Sequence, residues 1–378
     1  MRHVLVVAGT RPEVVKLAPV VRELRARPGD FRVTFCSTGQ HREMLDTTLN
    51  AFDLQADLDL GLMQAAQHPS DLAGRLMIAL GGVLLEHKPD VVVVQGDTTT
   101  VMASSIAAAL HKVRVAHVEA GLRTGDKSSP FPEEINRRVA GAVADIHFAP
   151  TAAARSALIS EGVRPEAIVV TGNTVIDALR WMADRVKGAP LPEHLAGDGR
   201  LVLVTAHRRE SFGEPFREMC LAMKEIADRF PDVRLVYPVH LNPSVQQPVR
   251  EILSDCPRVH LVEPLDYAHF VQLMTRAYLI LTDSGGIQEE APALGKPTLV
   301  MRDKTERPEA VAAGVVRLVG SSRQKIVDEA SRLLSDPAAY KGMARVVEVY
   351  GDGFASRRIA EVLADHPERT PEFLPPVL

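Results

Sequence analysis

Cysteine is scarce in this chain: Cys36, Cys220 and Cys256 are the only three in 378 residues, far apart and without a CxxC pair. An odd, scattered set excludes a disulfide framework and points to a reducing cytoplasm. No apolar run approaches the ~18 residues of a membrane span, so no membrane segment is expected. The opening stretch MRHVLVVAGT is broken early by Arg11 and leads to no small-residue cleavage site, which argues against a signal peptide. Positive charge is not in excess. Lys and Arg number 44 against 48 Asp and Glu, with a pI near 6.4, so no global basic field attracts nucleic acid. HxxH, HExxH and GxGxxG are all absent, which gives no expectation of a metal ion or a tightly bound nicotinamide. The stretch ALGKPT has a superficial P-loop look, but Glu290 stands where that motif requires glycine.

What is present is a regular alternation. Apolar runs of four to six residues alternate with amphipathic stretches, beginning with HVLVVA and PEVVKLAPVVRELRA. In the latter, Val14, Val15, Leu17, Ala18, Val21 and Leu24 share one helical face. Such alternation predicts an α/β chain with parallel, doubly wound sheets. At roughly 150 residues per domain the length suggests two domains. The Gly- and Pro-rich stretch 187–200 breaks the rhythm after a predicted helix at 174–186, and the pattern restarts at LVLVTA. The halves open alike, with VLVVAGTRPE and VLVTAHRRE. The expected organisation is a first domain of residues 1–173 plus 354–378, its last helix at about 354–365 packing back, and a second of residues 174–353.

Ligands of open α/β sheets bind beyond the carboxyl ends of the strands, so those ends supply the candidates. Two consecutive apolar runs, VVVVQGD and VRVAHVE, each end near a carboxylate, Asp97 and Glu119. Charge beside an apolar core is costly unless something pairs with it. After the first strand, Gly9 suits a tight turn, Pro12 a first helical turn, and Arg11 and Lys16 supply cations. The same residues also suit an ordinary strand–helix turn with surface cations. After YLILTD, Ser284, Gly285 and Gly286 stand where a helix should begin, a place that favours a phosphate. Glu289 and Glu290 are expected in its first turn, one supporting the dipole and the other accepting from ribose hydroxyls. His207 follows LVLVTA, and beside Arg208 and Arg209 it resists charging until an anion arrives. Pro130 and Pro132 delay a helix until Glu133, with Glu134 next. The pattern suggests a diphosphate held beside carboxylates in a cleft between domains, with Arg11, Lys16, His207 and Arg307 neutralising it without metal.

Taken in order, GTRPEVVKLAPV, QGDTTT, HVEAGLRTGD, PEEINR, TGNTVIDAL, TAHRRESFGEP, TDSGGIQEEAPALGKPTLVMRDKTERPEA and AGVVRLVG resemble the motifs of the non-hydrolysing UDP-N-acetylglucosamine 2-epimerases, from about residue 3 to 365. The resemblance implies a GT-B fold of two Rossmann-like domains facing a cleft. It also implies a cytoplasmic homodimer that interconverts UDP-N-acetylglucosamine and UDP-N-acetylmannosamine without cofactor, through elimination of UDP to a 2-acetamidoglucal and its re-addition. By the same resemblance Asp97, Glu119, Glu133 and His207 are catalytic. Arg11, Lys16, Phe270, Ser284, Gly285, Gly286, Glu290 and Arg307 bind the UDP-sugar. Gln40, His41, Arg209 and His240 correspond to an activator site for a second substrate molecule. Three departures from the pattern are Leu265 for a uracil-side glutamine, Glu43 for a glutamine of the regulated members, and no arginine near residues 68–70. The rivals are a hydrolysing 2-epimerase, an epimerase for a modified sugar, a GT-B glycosyltransferase and a non-catalytic sugar-nucleotide sensor.

Overall fold

The structure is a computed structural model that describes residues 1–39, 42–62, 64, 67–128, 130–366 and 371–375. The chain divides into two compact units, Met1–Arg180 with Tyr350–Pro375, and Trp181–Val349. Among the described residues no helix is long and apolar enough to cross a membrane.

The first unit holds a seven-stranded parallel sheet. Its strands are β1 (Arg2–Ala8), β2 (Phe31–Ser37), β3 (Leu58–Asp59), β4 (Val91–Gln95), β5 (Arg114–Val118), β6 (Ile146–Ala149) and β7 (Ile168–Val170), in the order β3-β2-β1-β4-β5-β6-β7. The second holds six parallel strands, β8 (Arg200–Thr205), β9 (Val233–Pro238), β10 (Val259–Val262), β11 (Leu279–Thr282), β12 (Thr298–Val300) and β13 (Val316–Leu318), in the order β10-β9-β8-β11-β12-β13. A parallel sheet covered by helices on both faces needs continuous rather than alternating apolar residues. Val91 to Gln95 is buried at every position for that reason. One core of the first unit packs Leu5, Val7, Val92 and Val94 against Leu76 and Leu80 of the helix Pro69–His87. The second packs Val202, Val204 and Tyr237 against Phe216, Met219 and Met223 of the helix Glu214–Arg229. The two-residue β3 has no apolar run of its own, and periodicity alone gives no sign of it.

Both strand orders reverse direction once, between β1 and β4 and again between β8 and β11. Loops leaving adjacent strands there diverge to opposite faces and open a crevice, the switch point where ligands of such sheets sit. Gly9 and Asp97 follow the first pair of strands, and His207 and Ser284 follow the second.

The unit boundaries differ from those read in the sequence, 173/174 and 353/354. The helix Thr174–Arg185 commits its first two turns to the first unit. Asp177 on that helix is buried and caps another helix, Ala355–Leu363, from outside. Its Oδ1 accepts from Ser356 N at 2.8 Å and Ser356 Oγ at 2.6 Å, and its Oδ2 accepts from Ala355 N at 3.2 Å. Phe354, at the cap position of Ala355–Leu363, supplies no side-chain cap itself. Arg180 donates to Asp352 O, and Asn173 N donates to Tyr350 O at 2.6 Å. The helix Ala355–Leu363 then packs against Arg11–Arg25.

Asp177→Ala leaves two buried amides and a hydroxyl without their acceptor. The expected loss of unfolding free energy is about 3 kcal/mol, the cost of removing an ionised acceptor of buried donors. Urea denaturation checks it, and a loss below about 1 kcal/mol would show that water replaces the carboxylate.

Candidate active site

Glu119 follows β5 in a left-handed backbone conformation, φ +62°, which is strained for a residue with a Cβ. It is 9% exposed, so its charge must be met. Lys16 Nζ lies 2.5 Å from its Oε1, Asn173 Nδ2 donates to the same oxygen at 3.1 Å, and Gln95 donates to Oε2. Lys16, read in the sequence as a cation for a diphosphate, is therefore engaged with a carboxylate here. Asp97 follows Gly96 at the end of β4 and pairs with Arg137. Its backbone carbonyl accepts from Asn136 Nδ2 at 3.0 Å. Its side chain stays 30% exposed, enough to meet a ligand.

The helix Glu133–Val143 begins where the prolines allow. Its two leading glutamates diverge. The Glu134 side chain is fully buried, pairs with Arg137 and Arg138, and accepts from Thr124 N at 3.1 Å and Gly125 N at 3.3 Å. It clamps the loop after β5. Glu133 is half-buried, and its Oε2 is buried with no hydrogen-bond partner.

Thr10 and Glu13 form a capping box at the start of the helix Arg11–Arg25. Glu13 Oε2 takes Gly9 N at 2.9 Å and Thr10 N at 2.6 Å, while Oε1 takes Thr98 Oγ1 at 2.7 Å. Burial pushes its carboxyl above the usual range, with the Thr98 bond opposing. This ties the loop after β4 to the loop after β1. Gly9 is required for space rather than for a special φ: a Cβ there would lie 2.2 Å from Thr100 Oγ1 and 2.7 Å from Thr38 Oγ1. Arg11 is exposed on the first helical turn.

In the second unit, the helix Gly285–Ala293 starts without a side-chain cap from Ser284. Its leading amides and dipole form an anion-attracting end. Two guanidinium groups flank it, since a Cβ on Gly285 would lie 2.9 Å from Arg307 Nη1 and 3.3 Å from Arg208 Nη2. Glu289 and Glu290 fall in the second turn, not the first, because the helix begins at the first glycine. Neither supports the dipole: Glu289 accepts from Arg307 Nε at 2.7 Å, and Glu290 accepts from Tyr267 OH at 2.8 Å. Tyr267 and Phe270 lie one turn apart on the helix Tyr267–Arg276, and Phe270 is half-buried. Glu306 stands within 2.7 Å of Arg307 and 3.6 Å of Arg208. Burial alone would raise its pKa, but Arg307, Arg302 and Arg208 hold it below the usual range.

His207, 42% exposed at its side chain, follows β8 and stacks on His240 with ring centroids 5.3 Å apart. Arg209 is exposed in the short turn Arg209–Ser211. Gln40 and His41 lie outside the described residues. Among the described residues no three His, Cys, Asp or Glu side chains are grouped as a metal site. Arg137, Arg208 and Tyr267 were not among the sequence candidates. Tyr267 carries a local signal, lying one helical turn before Phe270. The other two depend on contacts across 40 residues or more.

Comparison with known proteins completes the picture. The fold is of GT-B type, two Rossmann-like domains. It superposes on a Neisseria meningitidis UDP-GlcNAc 2-epimerase bound to UDP-GlcNAc with a TM-score of 0.91, at 45% identity over 96% of this chain and 100% of that one. A Staphylococcus aureus MnaA–UDP structure gives 0.90 at 41% identity, over 99% and 100%. A UDP-N-acetylglucosamine 2-epimerase from Yersinia pestis is 53% identical over 96% of this chain and 98% of its own length. The family model described as UDP-N-acetylglucosamine 2-epimerase matches residues 22–364. The chain belongs to the UDP-N-acetylglucosamine 2-epimerase family, and it is an isomerase.

His117 on β5 fixes the turn that carries Asp97: its Nε2 donates to Gly96 O at 2.7 Å. Burial pushes its pKa down from 6.5 to about 4, with the Gly96 bond opposing. The unfolded chain takes up this proton near pH 6.5 and the folded chain only near pH 4. Within that window the unfolded state binds more protons, so stability rises with pH and is lost as pH falls. The expected loss from pH 7 to 4 attributable to this group is about 3 kcal/mol. Urea denaturation across that range should show a shallower slope in His117→Gln, and identical slopes would exclude His117 as the source.

Proposed function

We propose that the chain reversibly interconverts UDP-N-acetylglucosamine and UDP-N-acetylmannosamine through one intermediate: UDP leaves, a 2-acetamidoglucal forms, and UDP returns. A carboxylate takes the proton from carbon 2, and the electron pair of that C–H bond becomes the C1=C2 double bond. The pair of the C1–O bond departs with UDP. Re-addition forms the C1–O bond again while a proton is delivered to the opposite face of carbon 2. General acid–base groups on the sugar and cationic stabilisation of the leaving diphosphate are the two requirements.

The observation that carries this reading is the division of chemistry between the two switch points. The first unit offers Asp97, Glu119 and Glu133, carboxylates suited to proton transfer at a sugar carbon. Two of them are oriented by their own cations, Arg137 and Lys16. The second offers an uncapped helix start with Arg208 and Arg307 beside it, suited to a diphosphate. Glu290, directed by Tyr267, suits ribose hydroxyls, and His207 suits a leaving phosphate oxygen. Phe270 supplies an apolar surface near the uracil.

Proton NMR of the protein with UDP-N-acetylglucosamine in deuterated water tests the reaction. Deuterium at carbon 2 together with a UDP-N-acetylmannosamine signal is expected. Free UDP with N-acetylmannosamine would instead establish a hydrolysing enzyme. In the same assay Asp97→Asn should turn over at least ~100-fold more slowly while retaining UDP binding, and near-native turnover would remove Asp97 from the mechanism.

The two glycines separate protein strain from ligand contact. A Cβ on Gly286 meets nothing nearer than Ser284 Oγ at 3.9 Å, whereas one on Gly285 crowds Arg307. Gly286→Ala should therefore leave the melting temperature unchanged yet weaken UDP about 10-fold, or 1.4 kcal/mol, because the methyl occupies the phosphate's approach. Calorimetric titration reads this directly. Native UDP affinity in Gly286→Ala, or in the bulkier and charged Gly286→Asp, would refute the phosphate assignment.

A further inference from the structure

Asp283 lies between β11 and the glycine helix start and was not among the candidates. It is fully buried. Its backbone is locked to β8, with Asp283 N donating to Thr205 O at 3.0 Å and the hydroxyls of Thr205 and Thr282 2.6 Å apart. Its carboxylate reaches the segment after β8. Oδ2 accepts from His207 N at 2.7 Å and from Arg208 N at 2.8 Å. Its other oxygen, Oδ1, is buried with no hydrogen-bond partner and lies 3.9 Å from His207 Nδ1. A buried carboxylate oxygen without a partner is costly, and the imidazole nitrogen of His207 faces it. Distances of this kind shorten when a catalytic group engages its ligand.

We propose that Asp283 is the positioning residue of His207: it holds the ring proton on Nδ1 and steadies the imidazolium, whose Nε2–H donates to the phosphate oxygen as the C1–O bond breaks and takes the proton back when UDP re-adds. The inference rests on the role given to His207 above. One carboxylate does two things. Oδ2 fixes the backbone from which the imidazole projects, and Oδ1 selects its tautomer. The charged or titratable groups placed at the ring include Asp283 on one edge, His240 on one face, and the neighbouring Arg208. Asp283 is an anion, so it steadies the imidazolium whose Nε2–H donates to the leaving oxygen.

Asp283→Asn separates the two roles. The amide oxygen can still accept both backbone N–H groups, while the amide NH₂ then faces Nδ1 and forces the proton to Nε2. That tautomer leaves the fold intact but faces the ring with an amide donor in place of an anion, so the imidazolium that donates to the leaving oxygen is no longer steadied. In ¹⁵N-histidine-labelled protein, with the His207 signal assigned by its loss in His207→Asn, the neutral native ring should carry its proton on Nδ1 and the variant's on Nε2. The kcat should fall ~100-fold or more, with UDP affinity within about threefold of native. A native ring protonated on Nε2 overturns the proposal, as does a variant with unchanged tautomer and kcat. If Asp283→Asn does not fold, the native tautomer alone decides. Undiminished turnover in His207→Asn would instead refute the reading of His207 as a catalytic group, leaving the tautomer result to judge the Asp283 pair separately.

Discussion

Lys16 and Glu119 meet at the carboxyl end of β5, an interior strand of the first unit's parallel sheet, and the neighbouring polar side chains are arranged around that contact. Neither charge could be placed there alone, since an uncompensated buried charge costs several kcal/mol. Together they are tolerable because Asn173 and Gln95 also donate to the carboxylate. The strained backbone of Glu119 is the visible consequence: the residue is turned out of the strand direction to aim its side chain at Lys16, one turn and a half into the first helix. A carboxylate fixed in this way is held in one orientation and needs no reorganisation.

The same logic recurs at Asp97 with a different cation. Arg137 bridges Asp97 and Glu134, and Glu134 in turn holds the loop of residues 124–125. His117 and Asn136 fix the turn from the other side. Glu133 stands outside this web, with one buried oxygen unpartnered. Of the three candidate carboxylates it is therefore the one whose charge the described contacts do least to satisfy.

The second unit repeats the strand order but inverts the electrostatics. Cations crowd the start of a helix, and the carboxylates Glu289 and Glu306 pair with Arg307 there. Similar topology thus carries opposite chemistry at its two switch points. The difference lies in a handful of loop residues, as expected when function is grafted onto a common framework.

The sequence by itself determined the fold class, the strands that lead to the candidate residues, and the residue types at their ends. These follow from local periodicity and from glycine and proline, whose effects act over a few residues. What the tertiary structure decided is pairing. Lys16 to Glu119 spans 103 positions, Arg137 to Asp97 spans 40, and Asp177 to Ser356 spans 179. No local pattern encodes such separations. The same holds for the two adjacent glutamates, 133 and 134, which look equivalent in the sequence. One lies against the loop and becomes a clamp, while the other leaves an oxygen unsatisfied. The second-turn location of Glu289 and Glu290 turned on where a glycine-led helix begins, a boundary set by backbone geometry. The boundary at Arg180 turned on Asp177, whose partners lie at the far end of the chain. Electrostatics and hydrogen bonds act through space, so their partners become visible only when the sheets bring distant strand ends together.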